Sequence, residues 1–243
     1  MDGSYCIIKV REVIDGKVGM GMLKRIVIFC LVVIMGCFGM NAQAADRWKW
    51  YYSSDYYGHY YDTQTVKYNG ARQYATIWTK TLKQDGSLLE EDHIILNYQY
   101  KATGMVEYVT YHNGYPRRHS FSKPVISFVA PDSARETLSR LVAEQLGIRP
   151  MYPGGADRWK WVHATDRWSV YVAKDTLIDL GKGNLYSIWA KRVYLNGGES
   201  KIQYFCDPTR DIIRTRYSKW RSTVPDSDEE AVLNAVKALN VGA

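Results

Sequence analysis

The hexapeptide Ala-Asp-Arg-Trp-Lys-Trp occupies residues 45–50 and recurs unchanged at 156–161, 111 positions later. The correspondence continues without a gap. Asp55 matches Asp166, Tyr60 matches Tyr171, Thr65 matches Thr176 and Gly70 matches Gly181. Further on, Ile77-Trp78 matches Ile188-Trp189, Lys80 matches Lys191 and Gly86 matches Gly197. A self-match of this length predicts one small structural unit present twice, which sets the architecture to be sought before any single motif is weighed.

The front of the chain reads as targeting rather than fold. Lys24-Arg25 precedes an apolar run from Ile26 to Met40 and then Ala42-Gln43-Ala44. That is the order of a basic n-region, an apolar h-region and a small-x-small cleavage site, and the run is shorter than the roughly 20 apolar residues of a spanning helix. Residues 1–44 are therefore expected to be an N-terminal extension and signal peptide, with Met22-Leu23-Lys24-Arg25 resembling a natural start. Cleavage near Ala44-Ala45 would leave an exported chain that is periplasmic, at the cell surface or secreted. Cys37 follows a loose lipoprotein-like Ile34-Met35-Gly36, in which Met35 is bulky where a small residue is usual.

Cleavage also removes Cys6, Cys30 and Cys37, so Cys206 is the one thiol left and no internal disulfide can staple the fold. Cys206 then reads as a small buried hydrophobe. The remaining 199 residues suit two domains large enough to fold on apolar burial alone. Of 32 Lys/Arg and 25 Asp/Glu, five and three lie before Ala45, leaving 27 against 22. A surplus of that size permits attraction to acidic glycans, anionic lipid or an acidic protein, and export argues against nucleic acid.

Each unit reads as a β-meander closed by a helix. In the first, strands are expected from Arg47 to Tyr52, His59 to Val66, Gln73 to Leu82, His93 to Lys101 and Met105 to Tyr111. Turns are expected at Asn69-Gly70, Asp85-Gly86 and Gly104. Ser133-Ala134-Arg135-Glu136 is a capping box ahead of an apolar stripe of Leu138, Leu141, Val142 and Leu146. Ser227-Asp228-Glu229-Glu230 repeats the device before Val232, Ala235, Val236 and Leu239, and Pro-Asp precedes both boxes. The fold class is α+β: two tandem copies of a small antiparallel meander, each with one C-terminal helix packed on it. The first copy spans 45–147 and the second 156–243. Between them, 148–155 is a linker punctuated by Pro150, Pro153, Gly154 and Gly155.

No catalytic constellation with discriminating spacing is present. The sequence lacks His-Glu-x-x-His, Cys-x-x-Cys and Gly-x-Ser-x-Gly. His93, His112 and His119 could approach one another across strands, but strand-face histidines are usually ordinary polar residues. Gly181-Lys182-Gly183-Asn184 lacks the phosphate-loop frame and reads as a turn. Glu90-Glu91 and Glu229-Glu230 read as solvated neighbours rather than convergent acids. No enzyme activity, cofactor or metal is expected.

Aromatic residues carry the remaining signal. The pairs Trp48/Trp159, Trp50/Trp161 and Trp78/Trp189 are shared by both copies and read as structural. The unshared tyrosines are better contact candidates, since Tyr gives broad contact at low entropic cost. The first copy also holds about a dozen additional residues between Tyr111 and Pro131, read as an exposed basic loop that includes Lys123. The expected partner-binding residues are Tyr56, Tyr57 and Tyr61 from the first hairpin, with Tyr115, Arg117, Arg118 and His119 from that loop.

The opening Trp-x-Trp, the stretch Tyr61-Asp62-Thr63-Gln64-Thr65, Ile77-Trp78 in a central strand and Pro-Asp-Ser-x-x-Glu before an apolar helix together resemble bacterial secreted domains of the surface-adhesin protein E type. The likeness covers most of residues 45–240. It implies a non-enzymatic protein that binds a matrix protein, glycan or cell-wall macromolecule. Tyr61-Asp62 becomes Val172-Ala173 in the second copy, so a site built on that Asp would exist once. The alternative function is a structural envelope component that self-associates or binds another exported protein.

Overall fold

The computed structural model describes residues 47–181 and 184–241. The expected signal peptide, its expected cleavage site and Cys37 lie outside the described residues, as does the Lys182-Gly183 half of one expected turn. Among the described residues, two antiparallel sheets each carry one helix. The first contains β1 (Trp48–Ser53), β2 (Tyr57–Asp62), β3 (Lys67–Asn69), β4 (Tyr74–Lys83), β5 (Leu88–Asn97), β6 (Ala102–His112) and β7 (Tyr115–Phe128), followed by α1 (Ala134–Leu146). The second contains β8 (Trp159–Ala164), β9 (Trp168–Ala173), β10 (Ile178–Asp179), β11 (Tyr186–Tyr194), β12 (Glu199–Asp207), β13 (Ile212–Thr215) and β14 (Arg221–Ser222), followed by α2 (Asp228–Val241). Strand order is β1-β2-β4-β5-β6-β7 in the first, with β3 pairing β4, and β14-β13-β12-β11-β9-β8 in the second, with β10 pairing β11.

Each sheet buries one face beneath its own helix. Strict alternation in β4 sends Ala75 and Ile77 inward, where they meet Ile94, Leu96, Leu138 and Val142. The second core holds Val170, Val172, Ile188, Tyr204, Cys206, Ile213, Val232 and Val236. Cys206 is fully buried there, and burial pushes its thiol up to about 12, so it packs as a hydrophobe. Both capping boxes form: Ser133 accepts from the Glu136 amide and Ser227 from the Glu230 amide, each at 3.2 Å. The glutamates reach back one residue further than a standard box, to the amides of Asp132 and Asp226, which sit at φ +54° and +57°.

Positions 111 apart make the same local contacts. The Thr65 hydroxyl accepts from the Trp78 amide at 3.1 Å, and the Thr176 hydroxyl from the Trp189 amide at 3.0 Å. Lys80 lies 4.5 Å from the Trp48 ring centroid, and Lys191 lies 4.8 Å from that of Trp159. Trp50 and Trp161 are 58% and 56% exposed, so this pair stands outside the packed structure it was expected to support.

Three local expectations need correction. β5 begins at Leu88, five residues before the expected strand, and ends at Asn97. The following turn falls at Tyr98–Lys101, closed by Lys101 at φ +49°, and Gly104 lies within β6 rather than at a turn. The extra residues after Tyr111 form no loop. Only Asn113-Gly114 turns; Tyr115–Phe128 continue as the 14-residue outer strand β7.

The segment expected to be a linker is packed. Met151 and Tyr152 are buried in the first core, and the Tyr152 hydroxyl donates to the Val129 carbonyl at 2.6 Å. Just beyond it, the Arg158 guanidinium is 6% exposed and surrounded by carboxylates. It bonds Asp132 at 2.8 Å, Glu136 at the N-terminus of α1, and Asp175 at 3.0 Å. Trp159 Nε1 donates to Asp132 at 3.0 Å and Lys201 Nζ to the Pro131 carbonyl at 2.7 Å, so the cap of α1 is docked on the second sheet. Removing one partner of a buried ion pair leaves the rest uncompensated and costs about 3–5 kcal/mol. Arg158→Ala is expected to lower unfolding stability by about that amount and to split a single urea transition into two, read by circular dichroism. A single transition with an unchanged midpoint contradicts this account.

Candidate functional site

The nominated residues separate into two groups and one exclusion. Tyr61 is buried in the first core at 3% exposure and cannot meet a partner; alternation along β2 turns it inward beside Tyr51. Asp62, its neighbour, is also fully buried. Tyr56 and Tyr57 lie at the β1–β2 turn, edge to face at 6.3 Å, with Tyr56 67% exposed. Tyr115, Arg117, Arg118 and His119 lie on β7, all exposed, with Tyr115 at 76%. In a meander the β1–β2, β4–β5 and β6–β7 turns share one end of the sheet, so both groups face the same way. They do not merge: β2 and β7 are four strand steps apart, about 19 Å at ordinary strand spacing.

Cross-strand pairing stiffens the basic edge. His119 stacks on Tyr108 across the β6–β7 ladder, with ring centroids 4.7 Å apart and planes 17° apart. His93 stacks on Trp78 at 5.0 Å instead of turning toward His119. Among the described residues no group of three His, Cys, Asp or Glu is placed to hold a metal ion, and no helix is long and apolar enough to cross a membrane.

A polar cluster that sequence reading passed over lies on the helix-side face of the first sheet. Glu90 and Asp92 alternate along β5, so they share a face, whereas the adjacent pair Glu90-Glu91 does not. Asp92 is buried next to Arg135 of α1, with Nη2 to Oδ2 at 3.4 Å, and its Oδ1 has no hydrogen-bond partner. Burial raises its pKa, with Arg135 pulling the other way. Glu90 is raised by burial and by the Asp92 charge. His59 Nδ1 lies 3.1 Å from the Thr81 hydroxyl, and burial, aided by Arg135, lowers its pKa. The signal was available as the spacing Glu90-x-Asp92 in a strand pattern, but their burial depends on where α1 lands.

The sign of the Asp92 effect follows from linkage. Its folded pKa lies above the unfolded value, so its stabilising contribution is complete below the unfolded pKa and is lost as pH rises through the folded one. Once pH exceeds the unfolded pKa, keeping this buried, partly unsatisfied carboxyl in the fold carries a cost. Asp92→Asn, a neutral isostere, is expected to raise the melting temperature by a few degrees at pH 7 and to leave it unchanged near pH 3. A fall at pH 7, in a differential scanning calorimetry series, contradicts this assignment. Comparison of the chain with family models, with curated proteins and with solved structures finds no match.

Proposed function

We propose that the chain is an exported, non-enzymatic binding protein, adhesin-like, built from two copies of one duplicated α+β unit. In this reading the first copy contacts an acidic macromolecule at the cell surface or in the envelope. The duplication is supported by the 111-residue correspondence together with the matched threonine, lysine–tryptophan and cap contacts. The reading as a binder rests on one observation above the others. Tyr115, Pro116, Arg117, Arg118 and His119 are five consecutive exposed residues on the outermost strand, an aromatic and cationic run held flat by pairing to β6. A rigid edge presents such side chains at lower ordering cost than a free loop would. Asp92, the most deeply buried of the shifted acids, lies beneath Arg135 and takes no part in this contact surface.

Self-association along the same edge is disfavoured. Pairing two such edges would bring the Arg117, Arg118 and Lys123 cations of both copies together, and Pro116 and Pro124 remove ladder donors, the devices by which edge strands avoid pairing with themselves. An acidic glycan or acidic protein surface meets no such barrier. The test is binding of the immobilised chain to heparin and to acidic matrix proteins. Replacing Tyr115, Arg117 and Arg118 together with alanine is expected to weaken affinity at least tenfold, about 1.4 kcal/mol, with an unchanged melting temperature. Equal binding by the triple variant removes β7 as the contact surface.

A further inference from the structure

On the face of the first sheet opposite α1 lies a cavity of about 360 Å³, within the size range of small-molecule sites. Its floor is Gly104 in β6 and Ile95 in β5; its walls are Tyr74, Ile126 and Phe128, and Leu180 from the second half closes one side. Gly104 explains the depth. A Cβ there would stand 3.2 Å from the Pro124 Cβ, 3.7 Å from Ile126 Cγ1 and 3.8 Å from the Ile95 Cβ, so any other residue fills the floor. A glycine inside a strand often marks a bulge or a close approach to the backbone, and here the Pro124 side chain makes that approach.

The lining is apolar, and none of its side chains is acidic. Asn97, one of its few polar groups, already accepts the Tyr100 amide through Oδ1. The rim stays apolar while facing water: Ile126 is 62% exposed and Tyr100 51%. One cation, outside the lining, is tied to the rim residue Ile126 and lies 5.7 Å from the Tyr217 ring centroid. Arg216 Nη2 donates to the Ile126 carbonyl at 3.4 Å, and among the described residues no carboxylate pairs with Arg216. An apolar slot with a guanidinium bonded to its rim strand is complementary to an aliphatic chain that ends in an anion.

We propose that this cavity binds the acyl chain of a free fatty acid, with its carboxylate at Arg216. The proposal does not depend on the β7 contact surface, since the two use different residues. The test is a calorimetric titration of the full chain with octanoate, decanoate and dodecanoate, all below their micelle concentrations. Saturable one-to-one binding is expected, tightening about fourfold for each methylene that enters the cavity. Gly104→Val is expected to weaken dodecanoate at least tenfold. Arg216→Gln should weaken dodecanoate at least threefold while leaving neutral dodecanol within twofold.

Should Gly104→Val fail to fold, Ile126→Trp, at an exposed rim position, blocks the mouth and carries the same expectation. Absence of saturable binding, affinity independent of chain length, or unaltered binding by the folded blocked variant overturns the proposal. So does capture of the protein by phosphatidylglycerol vesicles without uptake of monomeric dodecanoate, which would assign the apolar rim to a membrane surface.

Discussion

The Arg158 guanidinium is the interaction on which the arrangement of the chain depends. Burying an unpaired cation is prohibitively costly, and burial alone would lower its pKa. Here the bonds and charges of Glu136 and Asp175 outweigh that penalty and hold the group above arginine's ordinary pKa. Its anions come from three places: the turn before α1, the first turn of α1, and the 3-10 turn after β9. A guanidinium can satisfy all three only when those elements converge, so one side chain fixes where the first helix cap meets the second sheet. Lys101 adds a second strut, donating to the carbonyls of Asp175 and Leu177, and burial lowers its pKa to about 8.

The same cap geometry exists on α2, where Glu230 again receives the Asp226 amide, yet among the described residues no arginine bonds it. The proposed duplication accounts for the recurrence of this cap, which was copied along with the unit. The receiving surfaces have also diverged. Lys201, which donates to the Pro131 carbonyl, pairs with Lys191 in the second sheet, whereas Lys80 pairs with Glu91 in the first. An acidic cap set on the first sheet would meet Glu91 instead of Lys201, so the two junction surfaces are not interchangeable.

Features governed by local chemistry were legible in the sequence. Both capping boxes, the Asp85-Gly86 turn and the alternation of β4 follow from neighbours within a few residues. What failed was set by distant contacts. Six tyrosines between Tyr51 and Tyr61 supply too little polar alternation to show which face is inward, and only the docked helix selects Tyr51 and Tyr61 for the core. Gly104 reads as a turn in isolation; its place in a strand is settled by the ladder to β5 and β7. β7 was hidden for the opposite reason. Two prolines and a cluster of cations are poor strand formers in the interior of a sheet, yet they are the residues an unpaired edge tolerates.

The two sheets therefore divide the molecule's work unevenly. The second ends in the four-residue β13 and the two-residue β14, and Phe205 on its outer face packs edge to face on Phe128 at 6.0 Å. Its outer surface is partly spent on holding the first sheet. The first, relieved of that duty over most of its width, extends β7 to 14 residues and leaves Gly104 without a side chain. The proposed duplication makes such a division possible, because a change that loosens one outer face leaves both helix-backed cores intact. The basic edge and the apolar cavity lie on the sheet that could vary at least cost to the fold, and that asymmetry is the strongest physical reason to seek recognition there.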